Sequence, residues 1–273
     1  MLCFIIPLRS KESSKNWELE EQLLERTIKS LLNQENQTFK IILVYADKPN
    51  LSISSDKLLM FEFPYPFLEY KDINYDLPVS KEKLDIKWVV GEMDKGRKIM
   101  YGCKEAKKLG CNYIMQVDSD DLVHRNLSSF VDSNGNANKP GWFIDKGYIY
   151  IEGKNYLIKQ ASKMNLINGS THIIRDRLII IPDFLSTKAS DFFLFCNHGY
   201  LRNKIFHDNN EELEPLPFYG NIYIASGNNQ SNIYELSQAN NLKNFFKLIL
   251  RSKIITKSLK KTFGLNKIKL YFF

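Results

Sequence analysis

The start of the chain alternates short apolar runs with a segment of helical periodicity. Leu2 to Ile6 is continuously apolar and stops at Pro7, which predicts a strand buried on both faces. Apolar residues recur at helical spacing over Trp17–Leu32, and a second apolar run covers Phe39–Ala46. A strand, a helix and a strand in this order make a right-handed β-α-β unit the expected arrangement.

The same alternation continues toward the middle of the chain. The patterns predict strands at Ile86–Val90, Asn112–Val117 and Leu178–Ile181, a helix over Lys95–Lys108 that ends near Gly110, and a hairpin over Gly147–Tyr156 with its turn at Glu152–Asn155. Alternating strands and helices are typical of an α/β protein with a largely parallel sheet.

Composition and charge narrow the class of protein. The 273 residues are 44% hydrophobic and 25% charged, which excludes a disordered chain, a collagen-like fibre and a disulfide scaffold. The net charge is +7, yet nine positive charges and no negative charge follow Glu235, so residues 1–235 carry a net charge of about −2. A general nucleic-acid-binding body is therefore excluded, and the basic character belongs to the tail.

Compartment is indicated by the cysteines and by the N-terminal segment. Four cysteines without metal-ligand spacing indicate reduced, buried thiols in a cytoplasmic protein: Cys3, Cys103, Cys111 and Cys196. The N-terminal apolar run is only five residues long and lacks a basic leader, so a signal peptide is not expected. No apolar stretch approaches the length that spans a bilayer.

The strongest chemical signal is the acidic string Asp118-Ser119-Asp120-Asp121 directly after a predicted buried strand. Open α/β sheets bind ligands at the carboxyl ends of their strands. Carboxylates this close repel one another, and a hard cation such as Mg²⁺ or Mn²⁺ would relieve the repulsion while keeping positions open for phosphate oxygens. The alternative is a polar turn that caps the following helix.

The order of these pieces resembles the GT-A fold of family 2 glycosyltransferases. The resemblance covers roughly residues 1–130. It rests on the first strand with Pro7, the helix ending near Leu31-Leu32-Asn33-Gln34, the strand Ile41–Tyr45, the segment Asp94-Lys95-Gly96-Arg97-Lys98, and the strand that runs into Asp118-Ser119-Asp120-Asp121. It implies a mostly parallel central sheet flanked by helices, with a nucleotide-diphosphate sugar as donor and Mn²⁺ or Mg²⁺ as cofactor.

The resemblance also implies roles for individual residues. It assigns Asp118 to the nucleotide ribose and, with Asp120, to the metal, and it makes Asp121 a nearby helper. Donor contacts are implied for three residues after the first two strands, Pro7, Arg9 and Asp47, and for three before the central helix, Lys95, Gly96 and Arg97. A charged turn opening a helix, and a simple turn at Asp47, are the structural alternatives.

An inverting transferase needs a general base that deprotonates the acceptor hydroxyl. The family usually carries an acidic residue well after the D-x-D element, and the segment Ser190–Tyr200 occupies that range. Asp191 is the carboxylate candidate, and His198 is the other candidate base or a late metal ligand. The paired Glu-Asp signature of the family is absent from this segment.

Two uncharged polar strings and the tail complete the set of candidates. Asn168–His172 is a candidate lining of the acceptor pocket, Ser226–Asn232 a candidate closing loop, and ordinary turns explain both as well. Apolar and basic residues of the tail fall roughly on opposite helical faces, which favours a basic amphipathic helix on an anionic membrane over a helix packed on the body.

Together these patterns predict a nucleotide-sugar-binding half (1–131), an acceptor-binding half (132–235) and a basic C-terminal tail (236–273). The predicted function is a metal-dependent, inverting glycosyltransferase that acts on a glycan or lipid-linked acceptor in polysaccharide assembly, cytoplasmic or peripheral on the inner face of the membrane. The alternative is a catalytically inactive GT-A-like module that binds a glycan or a partner at the membrane, and the missing Glu-Asp pair favours it.

Overall fold

The computed structural model describes residues 1–77, 85–225 and 248–266. Its strands are β1 Leu2–Pro7, β2 Phe39–Tyr45, β3 Leu58–Glu62, β4 Tyr113–Gln116, β5 Leu122–Val123, β6 Gly141–Phe143, β7 Gly147–Ile151, β8 Tyr156–Gln160, β9 His172–Arg175, β10 Glu214–Pro215, β11 Asn221–Ala225 and β12 Ser252–Ile254. Its helices are α1 Trp17–Leu32, α2 Ile86–Lys108, α3 Leu127–Asn134, α4 Ala189–Phe192, α5 Leu201–Asn209 and α6 Lys257–Phe263.

A seven-stranded sheet in the order β10-β6-β9-β4-β1-β2-β3 forms the centre of the molecule. Strands β3, β2, β1 and β4 are mutually parallel, and β9 runs antiparallel to both of its neighbours. Alternate residues of β1 enter two separate cores: Phe4 packs with residues of α1 and Ile5 with residues of α2. The two helices therefore cover opposite faces, and the predicted α/β class with a mostly parallel central sheet is confirmed.

The structure corrects two predicted strands. Residues 86–90 form the first turns of α2, where the Asp85 side chain accepts a hydrogen bond from Lys87 N and buried Val89 and Met93 are spaced four apart. Ile86 itself is exposed, so the apolar run belongs to a helix face. The strand predicted over 178–181 is also wrong, because a 3₁₀ turn covers Asp176–Leu178 and is followed by irregular chain.

A second sheet, in the order β12-β8-β7-β11-β5, lies in the second half of the chain. The predicted hairpin is confirmed, since β7 and β8 pair antiparallel on either side of a turn at residues 152–155. Strand β11 pairs with both β7 and β5, and β5 follows the acidic string of β4 directly. This pairing brings the second half of the chain up to the carboxyl end of β4.

The described part of the tail is not one continuous helix. Residues 248–251 are helical, β12 pairs with β8 as an edge strand, and α6 begins at Lys257. Phe263 of α6 is 1% exposed and packs against His124 and Tyr148. The apolar face of α6 is thus used for packing on the body, while 236–247 and 267–273 lie outside the described residues.

Two further expectations can be compared with the structure. All four cysteines are free and buried. Within residues 1–77, 85–225 and 248–266, no helix has the length and apolar character needed to cross a bilayer.

Candidate functional site

The carboxyl ends of β1, β2 and β4 meet at one edge of the central sheet. Pro7 ends β1 and pairs in register with Val44 of β2, and Leu8 N donates to Val44 O at 2.8 Å. Asp47 follows β2, and Asp118 follows β4, which is the other neighbour of β1. The predicted donor-side and metal-side residues are therefore arranged along a single edge, as parallel strands require.

Asp118 is held by contacts on three sides. Its Oδ1 atom lies 2.6 Å from Lys95 Nζ and accepts a second contact of 2.6 Å from Gln116 Nε2. Its backbone N–H donates to Ser170 Oγ at 2.8 Å. Burial opposes the positive charge of Lys95, yet Asp118 and Glu92 outweigh burial and raise the pKa of that ammonium. Lys95 is thus a permanently charged partner of Asp118.

Asp120 is the carboxylate of the cluster for which the described residues supply no partner. No hydrogen bond or ion pair from a described residue reaches its side chain. Burial raises the pKa of Asp120 well above its usual range, and the like charges of Asp121, Asp118 and Glu20 raise it further, with Lys95 acting in opposition. The ionised form of such a carboxyl group is stabilised by any cation that binds beside it.

Asp121 is buried and accepts hydrogen bonds from three residues. It is 1% exposed, and its Oδ2 accepts hydrogen bonds from Asn168 Nδ2 at 2.7 Å and Ser170 Oγ at 2.6 Å. Its Oδ1 accepts from Ile224 N at 3.2 Å. Burial and the charge of Asp118 raise the pKa of Asp121 to about 7, although these hydrogen bonds oppose the rise.

The same network continues into β11. Asn221 Nδ2 donates to Asn168 Oδ1 at 3.0 Å and to Ser170 O at 3.1 Å. Asp121 thereby joins the D-x-D loop, the 168–170 segment and β11 into one buried polar unit. The string Asn168–His172, predicted to line an acceptor pocket, places Asn168 and Ser170 in this supporting network.

The oxygen donors of the site suit a hard divalent cation held jointly with a substrate phosphate. Among the described residues, no group of three or more His, Cys, Asp or Glu side chains is arranged to hold a metal ion alone. Mg²⁺ often binds through one or two carboxylates plus phosphate oxygens. Asp120 and the remaining oxygen of Asp118 are the two carboxylate ligands available here. The residues present therefore fit the predicted metal when a diphosphate supplies further ligands.

The segment Asp94–Lys98 lies inside α2, not before its first turn. The predicted place of this segment before the central helix is therefore wrong, because α2 begins at Ile86. Lys98 is fully buried, and its Nζ contacts Leu8 O at 2.9 Å and Asp94 Oδ2 at 2.7 Å. This contact fixes α2 to the loop after β1.

Gly96 and Arg97 make packing contacts where the sequence predicted donor contacts. A Cβ on Gly96 would lie 2.4 Å from Phe192 O, so the glycine allows α2 and α4 to approach closely. Arg97 is 3% exposed and donates to Pro66 O at 2.6 Å and Phe184 O at 3.1 Å. Of the three residues predicted in this segment, only Lys95 points at the carboxylates of the D-x-D loop.

The two donor-side polar residues make local contacts. Arg9 Nη1 lies 3.4 Å from Glu20 Oε1, at the first turn of α1. Asp47 Oδ2 accepts a hydrogen bond of 2.7 Å from Lys11 N, which ties the loop after β1 to the end of β2. Both side chains border the carboxyl edge of the sheet.

The two candidate bases differ in their surroundings. His198 Nε2 lies 3.3 Å from Leu166 O, and burial lowers the pKa of the imidazole, with Lys95 lowering it further and Asp118 opposing. His198 is therefore neutral at physiological pH and close enough to the site to sense its charges. Asp191 lies on α4, where Ser186 Oγ donates a hydrogen bond to its carboxylate.

Sequence reasoning missed three residues at this site. Glu92 precedes Lys95 by one helical turn, and burial raises the pKa of its carboxyl, with Asp118 adding to the shift and Lys95 opposing it. Gln116 ends β4 and holds Asp118. A Cβ on Gly169 would lie 3.1 Å from Asp118 Oδ2, so this glycine leaves room beside the carboxylate. The helical spacing of Glu92 and Lys95 was the available signal, hidden by the strand prediction for 86–90.

Comparison with known proteins concerns the fold. No family model matches the sequence, and no curated protein matches it. Three structures of S. aureus TarS are similar to this chain. The structure of residues 1–349 has a TM-score of 0.42 and 12% identity over 82% of this chain, and the same residues in complex with UDP have a TM-score of 0.43 and 14% identity over 82%. The structure of TarS has a TM-score of 0.43 and 14% identity over 90% of this chain. This chain spans 60% of each of the first two and 41% of the third. The arrangement that the structure itself shows is an α/β fold with a mostly parallel central sheet.

Proposed function

We propose that this protein is a glycosyltransferase that uses a nucleotide-diphosphate sugar as donor and a hydroxyl group as acceptor. The observation that carries the proposal is the convergence of Asp118, Asp120 and Lys95 at the carboxyl edge of a parallel sheet. An ammonium beside two carboxylates, one of them unpartnered, suits a diphosphate accompanied by a divalent cation. The resemblance of residues 1–130 to family 2 glycosyltransferases supports the same reading.

In this proposal the donor lies along the sheet edge. Pro7, Arg9 and Asp47 border the base and ribose, and Asp118 and Asp120 hold Mn²⁺ or Mg²⁺ together with the diphosphate. When bound, the metal stabilises the negative charge that the departing nucleoside diphosphate gains. The Lys95 ammonium donates to diphosphate oxygens and adds to that stabilisation.

The transfer is proposed to invert the anomeric carbon. The acceptor oxygen forms a bond to that carbon from the face opposite the diphosphate, the bond to the diphosphate oxygen breaks, and the acceptor proton passes to a base. His198 is the stronger candidate base, because its lowered pKa keeps the imidazole neutral and it senses Asp118 and Lys95. Asp191 would first have to leave its hydrogen bond with Ser186.

A catalytically inactive GT-A-like binding module is the second candidate. The hydrogen bond between Asp191 and Ser186 favours it, since the only carboxylate candidate for the base is already engaged. Isothermal titration with UDP and GDP, in Mn²⁺ and in EDTA, separates the two functions. Metal-dependent nucleotide binding that is lost in Asp120→Ala supports the transferase, whereas binding of glycans without any nucleotide affinity supports the module.

A peripheral location on an anionic membrane is part of the proposal, with a glycan or lipid-linked acceptor. Exposed aliphatic side chains near β12 support it, namely Ile249, Leu250 and Ile254, as do the exposed lysines of α6. The wild-type protein should sediment with vesicles that contain phosphatidylglycerol, and a smaller fraction of Leu250→Glu should do so. Equal sedimentation of wild type and Leu250→Glu, or none of the wild type, would contradict this location.

A further inference from the structure

The D-x-D loop carries three aspartate side chains, and the described residues bring a single cationic side chain into contact with them. Asp118, Asp120 and Asp121 lie together, and Glu20 and Glu92 act on them from α1 and α2. Among the described residues, the ammonium of Lys95 forms the only ion pair with these three aspartates. Lys95 is thus the resident cation of the cluster.

Lys95 is bound to one oxygen of Asp118 and lies beside the other oxygen, which would be left for a divalent cation. Asp118 Oδ1 accepts from both Lys95 Nζ and Gln116 Nε2 at 2.6 Å, which leaves little room for a metal at that oxygen. Gln116 is 1% exposed, and its other polar atom, Oε1, has no hydrogen-bond partner. That oxygen faces the space beside Gly169, where a Cβ would meet Asp118 Oδ2 at 3.1 Å and Gln116 Oε1 at 3.2 Å.

The ion pair between Lys95 and Asp118 is partly exposed. The Lys95 side chain is 27% exposed, and the Asp118 side chain is 26% exposed, so the pair borders open space. An ammonium carries three donors on a flexible four-carbon stem, and the ion pair with Asp118 leaves two of them for other acceptors. A diphosphate arriving at the sheet edge would offer the ammonium several stronger acceptors at once.

We propose that Lys95 and a divalent cation compete for Asp118, and that the donor diphosphate resolves the competition by drawing Lys95 away from the carboxylate. The metal then binds well only together with the diphosphate. This inference rests on the proposed function for the diphosphate step, whereas the competition between lysine and metal depends only on the geometry of the free protein.

Binding of Mn²⁺ alone tests the competition. Titration of the purified full chain with Mn²⁺, followed by the electron paramagnetic resonance signal of the free ion, should give weak binding to the wild type. Lys95→Met removes the positive charge that lies 2.6 Å from Asp118 Oδ1 and should tighten Mn²⁺ binding by roughly tenfold or more. Lys95→Arg retains the charge and should stay close to the wild type.

Lys108→Met is the matched control, because Lys108 lies on the same helix but outside the site. Its ammonium forms an ion pair with Glu105, and the two charged atoms are 2.7 Å apart. It should leave Mn²⁺ binding unchanged. Circular dichroism confirms that each variant is folded before titration. Equal Mn²⁺ affinity in the wild type and Lys95→Met, including no binding by either, would overturn the inference.

The diphosphate step has its own readout. UDP or GDP should tighten Mn²⁺ binding by the wild type, and this gain should shrink in Lys95→Met because the competitor is already gone. If neither nucleotide binds, the proposed function fails, while tighter Mn²⁺ binding by Lys95→Met would still establish the competition. If nucleotides bind and the gain is the same in both proteins, the coupling through Lys95 is wrong.

Discussion

The close contact between α2 and α4 at Gly96 can be tested by adding a single methyl group. In Gly96→Ala the new Cβ would lie 2.4 Å from Phe192 O and 3.0 Å from the Phe192 carbonyl carbon. These are backbone atoms of a fully buried residue, so no side-chain rotation relieves the collision. Gly91→Ala is a matched control on the same helix, because a Cβ at Gly91 meets nothing within 4 Å.

The expected magnitudes follow from two opposing effects. Alanine is more favourable than glycine inside a helix by about 0.8–1.0 kcal/mol, so Gly91→Ala should be stabilised by up to that amount. Overpacking in a close contact typically costs about 1–3 kcal/mol, and in Gly96→Ala it must exceed the helical gain. The two variants should therefore differ by about 1–3 kcal/mol in the free energy of unfolding.

Urea denaturation of both variants and the wild type measures this difference. The midpoint for Gly96→Ala should fall below that of the wild type, and the midpoint for Gly91→Ala should rise above it, with similar slopes. If Gly96→Ala is as stable as Gly91→Ala and instead loses nucleotide affinity, Gly96 serves the donor site and the packing argument is refuted.

Three further predictions concern the body and the tail. Arg26 and Glu152 form a buried ion pair at 2.8 Å, so Arg26→Met should lower the free energy of unfolding by about 3–5 kcal/mol, and a double-mutant cycle with Glu152→Met should recover part of the loss. Burial lowers the pKa of His172 to about 3, below its unfolded value, so the unfolded state binds a proton first as the pH falls. The contribution of neutral His172 to the free energy of unfolding is complete above about pH 6.5, and below that pH it falls by up to about 1.4 kcal/mol per pH unit. Urea titrations from pH 7.5 to 5 should therefore show a shallower decline in the free energy of unfolding for His172→Gln than for the control His207→Gln. Phe263→Ala should cost about 3–5 kcal/mol in lipid-free buffer, whereas an unchanged midpoint would mean that α6 does not pack on the body.

Strong local periodicity explains which elements could be predicted from the sequence. The strand at Leu2–Pro7 and the helix at Trp17–Leu32 have the predicted bounds, because continuous burial and a single apolar stripe leave direct patterns. The position of Asp118 at the end of β4 followed from the apolar run before it. The first turns of α2 were missed because their apolar residues stand close together and suggest a strand.

The supporting contacts of the site depend on chain segments that are distant in sequence. Asp121 is held by Asn168, Ser170 and the backbone of Ile224, about 50 to 100 positions later, and no local pattern indicates such pairings. The packing of α6 could not be predicted from the sequence for the same reason. The apolar face of α6 is real, but only the packing against α1 and β5 shows that the body covers it.

Release of a nucleoside diphosphate from nucleotide sugars would show directly whether this protein uses such donors. A panel of UDP- and GDP-sugars with Mn²⁺ would be incubated with the wild type, with Asp120→Ala, and with Asp208→Ala as a control for loss of a surface carboxylate paired with Lys204. The wild type and Asp208→Ala should release the nucleoside diphosphate from at least one donor, and Asp120→Ala should release none. No release from any donor, or equal release by Asp120→Ala, would contradict the proposed function.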